Sequence, residues 1–206
     1  PEGYEPYDAT AVYHVGVKGD KIDYIGTEMP QENYGDEYDG KGKVLSSGFV
    51  NLHTHSPMTL LRGYADDMPL NDWLFKQVFP MEAKLTAQHI YDFTKLGIME
   101  YLSSGITSSF DMYYKNDDYV RANLDCGFRT VICSALNNFD ADPTNIEREY
   151  LKFNNIHENI SYMLGIHAEY TSNYKLWEAL AGYAHEQGLG MQLHLAQTQG
   201  EVDSCM

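Results

Sequence analysis

The sequence predicts an α/β fold of the (β/α)8 barrel type, present here in part and preceded by a small β domain. Three observations carry that expectation. Strand and helix patterns alternate from Phe49 to Thr198, the strand segments are short and apolar on both faces, and chemistry-bearing residues gather at their C-terminal ends. The strands are read at 49–55, 106–112, 129–136, 161–169 and 190–196, and the residues at their ends are His53, His55, Asp111, His167 and His194. A doubly wound sheet is the alternative, but its phosphate-binding fingerprint, G-x-G-x-x-G after the first strand, is absent.

Taken in order, residues 1–10 are polar and punctuated by Pro and Gly, which predicts a loosely held end. From Ala11 the alternation in AVYHVGVKGDKIDYIGT, centred on Gly19-Asp20, predicts two antiparallel strands joined by a turn. His14 lies in the first of them with no second ligand type nearby in sequence, so it reads as a surface histidine. Residues 28–43 are acidic and Gly-rich and predict an exposed loop leading to Val44-Leu45. The boundary is placed at 47: residues 1–47 form part of a small β-sandwich and 48–206 form the first five β/α units.

Beyond the first barrel strand, Leu74, Phe75 and Val78 recur at helical spacing and Pro80 is expected to interrupt that helix. Thr86 reads as the N-cap of a helix from Ala87 to Leu102 that Gly105 ends, with His89 as an exposed polar side chain in its first turn. The later helices, DDYVRANLDCG, PTNIEREYLKFNNI and YKLWEALAGYAHEQG, alternate with strands, and glycines stop the first and last of them.

Composition narrows the function. Thirty acidic residues against fourteen Lys and Arg give a net charge of −16, spread along the chain with no basic stripe, so nucleic acid is an unsuitable partner. No apolar run approaches the roughly 18 residues that a membrane span needs. Three cysteines without a CxxC pair suit a reducing cytoplasm better than a disulfide framework. The expectation is a soluble, cytoplasmic protein.

The chemistry centres on GFVNLHTHSPMTLL, residues 48–61. Side chains on a strand alternate faces, so His53 and His55 point the same way, about 7 Å apart along the chain. Two imidazoles on one strand face supply half of a tetrahedral metal shell. A lone His-x-His also arises by chance, but His194 ends another apolar strand, QLHLA, and is the natural third ligand. Three protein donors leave a position open, and a divalent ion held that way makes water a nucleophile near neutral pH. Zinc is the first choice, with iron and manganese as alternatives.

The segment GFVNLHTHSPMTLLRGYADDMPLNDWLFKQVFPMEAKLT resembles the amidohydrolase superfamily, in the branch of cytosine/adenosine deaminase-like enzymes that includes methylthioadenosine and S-adenosylhomocysteine deaminases and the triazine chlorohydrolases. LGIHAEYTS and LHLAQTQGEV resemble the later motifs of that branch, in the same order. The resemblance implies a metal-dependent deaminase of a purine nucleoside or related aminated heterocycle, with chlorohydrolase chemistry on the same scaffold as an alternative. It implies His53, His55 and His194 as metal ligands, Glu82 and His167 as substrate-binding residues, and Trp73 as part of a loop that lines the pocket. Asp111 matches a strand-end position of unclear role. Homo-oligomers are the habit of the family.

Two departures bear on activity. Gln197 stands where the family places the glutamate that moves the proton, and an amide cannot ionise. Five strands cannot close an eight-stranded barrel, so a piece of a longer protein, or one completed by another chain, is expected. Both open a second reading: a catalytically impaired homologue that keeps fold and metal. Relatives also place an arginine for the homocysteine carboxylate where Ser134 stands, so the resemblance supports the adenosine-like end of the substrate better.

Overall fold

The computed structural model describes residues 10–114, 116–138 and 146–205. The expectations for residues 1–9, and for 143–145 of the helix predicted from Pro143, lie outside them. The chain divides into two compact units between Ser47 and Gly48.

The first unit carries an antiparallel hairpin, β1 (His14–Lys18) and β2 (Lys21–Gly26), with Lys18 opposite Lys21 and His14 opposite Gly26. Gly19 occupies the turn at φ 63°, a left-handed conformation open to glycine without a Cβ penalty. Residues 28–43 follow without helix or strand, mostly exposed.

In the second unit, β3 (Phe49–Thr54), β4 (Ile106–Tyr113), β5 (Arg129–Ser134), β6 (Ile160–Ala168) and β7 (Met191–His194) form one five-stranded parallel sheet. Each strand pairs with its predecessor in the chain, in the order β3-β4-β5-β6-β7. A doubly wound sheet reverses its order at a switch point, whereas a barrel adds strands in one direction. The monotonic order therefore makes this sheet an arc of a (β/α)8 barrel. Helices α3 (Ala87–Ser103), α4 (Asn116–Asp125), α5 (Ile146–Asn154) and α6 (Tyr174–Gln187) connect the strands, and α7 (Gln199–Cys205) follows the last. The core between strands and helices contains Ile90, Tyr119, Ile132, Ile166 and Leu180, all fully buried.

Local chemistry accounts for the helix ends. Thr86 Oγ1 accepts from His89 N and His89 Nδ1 accepts from Thr86 N, each at 3.3 Å, so His89 closes a capping box in addition to being exposed. Asn173 caps α6 by accepting from Leu176 N at 3.0 Å, and Gly188 ends it in the left-handed conformation.

Two expectations are corrected. Pro80 does not interrupt its helix. Leu70–Asp72 (α1) runs through a π-helical segment, Trp73–Val78, into Phe79–Glu82 (α2), with Pro80 in the first turn of α2. The wider π turn, in which Phe79 N reaches Leu74 O, changes the bonding register just before the proline, where a missing N–H is tolerated. Nor is every strand buried on both faces: Phe49, Val50 and Leu52 of β3 are 69%, 56% and 70% exposed. The main partner of β3 among the described elements is the strand β4, which pairs with its edge, so these side chains, which project from the faces, are left open.

Gly165 shows how closely β5 and β6 approach. A Cβ there would lie 2.1 Å from Cys133 Sγ and 2.5 Å from Ser134 O. Because a backbone carbonyl cannot swing aside, Gly165→Ala is expected to destabilise the protein by about 1–3 kcal/mol, read as a lower denaturant midpoint.

Candidate metal centre

The three histidines come from opposite flanks of the arc, two from the exit of β3 and one from the end of β7. Pro57 helps end β3 by starting a 3-10 turn, Ser56–Leu61, and Met58 N donates to His55 O at 2.8 Å. Asp111 on β4 fixes this exit. Its carboxylate, fully buried, accepts from Ser56 N, 3.2 Å from each oxygen, and from Ser56 Oγ. The strand-end aspartate whose role was unclear from sequence thus holds the residue next to His55.

His53, His55 and His194 each offer a ring nitrogen to one cluster, with all three atoms within 4.8 Å of one another. His53 Nε2 and His194 Nε2 are 3.1 Å apart. Two nitrogens bound tetrahedrally to one zinc ion lie about 3.3 Å apart, given bonds of about 2.0–2.1 Å. The tautomers fit as well. His55 Nδ1 lies 2.7 Å from Met112 O and His194 Nδ1 lies 2.8 Å from His167 O. A carbonyl oxygen only accepts, so both Nδ1 atoms carry the proton and both Nε2 atoms present lone pairs. Burial lowers the His55 pKa to about 4 and also lowers that of His194, which keeps the rings neutral at pH 7. These residues fit a divalent ion.

The cluster opens into a cavity of about 240 Å³. Glu82, Trp73, His167 and Gln197 all line it, so the structure brings every candidate residue from the sequence into one place. Glu82 is buried at the end of α2, where Tyr113 Oη donates to its Oε1 at 2.8 Å. Burial, and then the Glu82 carboxylate, push the Tyr113 phenol far above its usual range, so it remains a donor. His167 Nδ1 sits 2.8 Å from Thr171 Oγ1, and Thr171 donates its own proton to Ala168 O at 3.2 Å. His167 is therefore the donor to Thr171, and its Nε2 lone pair is left available. Burial, then the neighbouring His194 and His55, lower its pKa to about 4.

Gln197 follows β7 through a strained turn: Ala196 has φ 52°. A left-handed non-glycine residue costs about 1–3 kcal/mol unless its surroundings hold it. Glu201, in α7, turns back towards Gln197. It is 5% exposed and accepts from Gln197 N at 2.8 Å and from Thr198 Oγ1 at 2.9 Å.

Tyr113, Tyr114, Tyr170 and Met58 also line the cavity and were not anticipated. Tyr113 was findable, because it is the last residue of a barrel strand and shares a strand face with Asp111 two positions before. The other three carry no such signal.

Burial raises the Asp111 pKa to about 7, which makes an opposite pair with the histidines. A carboxyl whose folded pKa exceeds its unfolded value weakens the fold as pH rises from about 4 to 7. His55 and His167, with depressed folded values, lose their contribution as pH falls from about 6.5 to 4. The two trends oppose each other in one window. Asp111→Asn is therefore expected to lose more stability than the parent protein between pH 7 and pH 4, measured by denaturant titration at several pH values. Parallel curves would contradict the assignment.

A chain with an arc of parallel barrel strands and three convergent histidines at its C-terminal rim has the architecture of a metal-dependent hydrolase barrel. It belongs to the amidohydrolase family, whose profile matches residues 44–205. A 5'-deoxyadenosine deaminase of Methanobrevibacter smithii is 36% identical over 198 residues, 92% of this chain and 45% of that protein. The crystal structure of an adenosine deaminase from Xanthomonas campestris with bound zinc superposes with a TM-score of 0.70 at 30% identity, covering 77% of this chain and 38% of that one. The fold alone is shared with the zinc complex of atrazine chlorohydrolase from Arthrobacter aurescens, at TM-score 0.76 and 18% identity over 94% of this chain and 51% of that one. The chain thus spans less than half the length of the deoxyadenosine deaminase it matches.

Proposed function

We propose that the protein is a metal-dependent hydrolytic deaminase of a purine nucleoside or a closely related aminated heterocycle, releasing ammonia. The observation that carries this is the convergence of one ring nitrogen each from His53, His55 and His194, all within 4.8 Å of one another, at a cavity that also holds Glu82 and Gln197. A divalent ion held by these imidazoles, zinc by analogy with the zinc-bound relatives, supplies the Lewis acidity that brings water's ionisation near neutrality.

The remaining work falls to the chain's own groups. Trp73, Tyr113 and Tyr170 give the cavity aromatic walls suited to a planar heterocycle. Glu82, held by Tyr113, is placed to accept hydrogen bonds from ribose hydroxyls, as the family resemblance implies. His167 offers its Nε2 as an acceptor to the substrate. Gln197 binds the ring through its amide but carries no proton between water and the leaving amine. Among the described residues, no Lys or Arg lines the cavity, which suits a neutral nucleoside better than a phosphorylated one. The first unit is assigned to part of the small β-sandwich that precedes such barrels.

Gln197 favours one second reading: a homologue that binds metal and nucleoside but turns over slowly or not at all. Ammonia release from adenosine, 5'-methylthioadenosine, S-adenosylhomocysteine and guanine by the zinc-loaded full-length protein tests the first reading. Release from an adenosine-type substrate supports it. Nucleoside binding without ammonia release, by the parent protein and by Gln197→Glu alike, transfers support to the second.

A further inference from the structure

We propose that Glu169 is a positioning residue for the metal site, pinning the turn after β7 so that His194 and Gln197 reach the cavity together. This inference rests on the metal assignment made above, and its test separates the two.

The geometry is that of a clamp on consecutive amides. Glu169 follows β6 in a 3-10 turn, Glu169–Thr171, and its Oε1 accepts from Ala196 N at 2.8 Å. The next amide, Gln197 N, donates to Glu201 Oε2 at 2.8 Å. Two carboxylates from different elements therefore hold the two residues between which the chain turns from β7 towards α7. Ala196, the residue held by Glu169, is the one at φ 52°. An alanine leaves that conformation readily unless its amide is engaged, and the clamp engages it. Two residues before it stands His194, whose Nδ1 is tied to His167 O at 2.8 Å, and one residue after it stands Gln197. β6 and its following turn thus fix β7's exit twice, through a main-chain carbonyl at 167 and a side-chain carboxylate at 169.

The position of Glu169 reflects this single task. Its second oxygen, Oε2, is buried and has no hydrogen-bond partner. A buried polar atom without a partner is disfavoured, so the observed rotamer is set by what Oε1 does. Both carboxylates also act electrostatically on His194, where their negative charge opposes the effect of burial.

The experiment compares three full-length proteins: the parent, Glu169→Ala, and Glu169→Ala combined with Ala196→Gly. Zinc affinity is measured by competition with a chromogenic chelator, and exchange of the residue 196 amide hydrogen is followed in the metal-free proteins. Outer-shell partners of metal ligands typically change affinity about 10- to 100-fold, and a loss in that range is expected for Glu169→Ala, together with faster amide exchange. Glycine adopts the left-handed conformation without strain, so the double variant is expected to regain most of the zinc affinity although its amide still lacks an acceptor. A purely structural role would not give that recovery.

Unchanged zinc affinity in Glu169→Ala overturns the proposal, and so does a loss that Ala196→Gly fails to restore. If the parent protein binds no zinc, the metal assignment falls. The clamp is then decided by exchange alone: faster exchange at Ala196 in Glu169→Ala supports it, and unchanged exchange overturns it.

Discussion

Gln197→Glu in the zinc-loaded full-length protein is expected to raise the rate of ammonia release from an adenosine-type substrate by about 10²- to 10⁴-fold, the usual contribution of a positioned general acid/base. The expectation follows from what surrounds residue 197. Its side chain lines the cavity that contains His53, His55 and His194, and its backbone N–H is anchored by Glu201 at 2.8 Å. A glutamate there inherits a backbone already in place and differs from glutamine by little more than the capacity to ionise. The gain should appear mainly in kcat, with KM changed far less, because in the proposed role the amide binds without moving a proton. The pH profile should change too, acquiring an acidic limb that reports the new carboxylate. Equal rates for the two proteins would mean that proton transfer is handled elsewhere.

The second large effect is loss of the metal. His194→Ala removes one of three converging donors, and because outer-shell changes already weaken sites about 10- to 100-fold, removal of a ligand itself is expected to exceed 100-fold. Zinc retained after gel filtration, measured by elemental analysis, is the readout, with His167→Ala as the comparison. His167 lines the same cavity, but its ring belongs to no metal cluster found among the described residues. That variant should keep its zinc and lose substrate affinity instead. If both variants retain zinc equally, the ion is not held where the three rings meet.

Much of this arrangement was legible in the sequence because it depends on short-range rules. Period-two alternation puts His53 and His55 on one side of a strand, and apolar runs bounded by glycines mark the strands whose ends carry the candidate residues. The long first motif added Glu82 and Trp73 through resemblance, and the later motif LGIHAEYTS added His167. What escaped notice depends on residues brought together from far apart. Asp111 reads as one polar residue on a strand, and only the pairing of β3 with β4 reveals Ser56 as its partner. Pro80 illustrates a different limit: its helix-breaking tendency is real, but the π segment before it changes the bonding pattern it would disrupt. The burial expected for β3 failed because period and hydropathy describe a strand without specifying what packs against its faces.

The anchors behind the His55 and His194 rings, Met112 O and His167 O, are both main-chain atoms of adjoining strands. Every amino acid supplies that acceptor, so the ligand orientation survives replacement of the side chains at 112 and 167 provided the strands stay aligned. Mutational drift can then remodel which molecules the cavity admits while the placement of these two imidazoles is inherited intact.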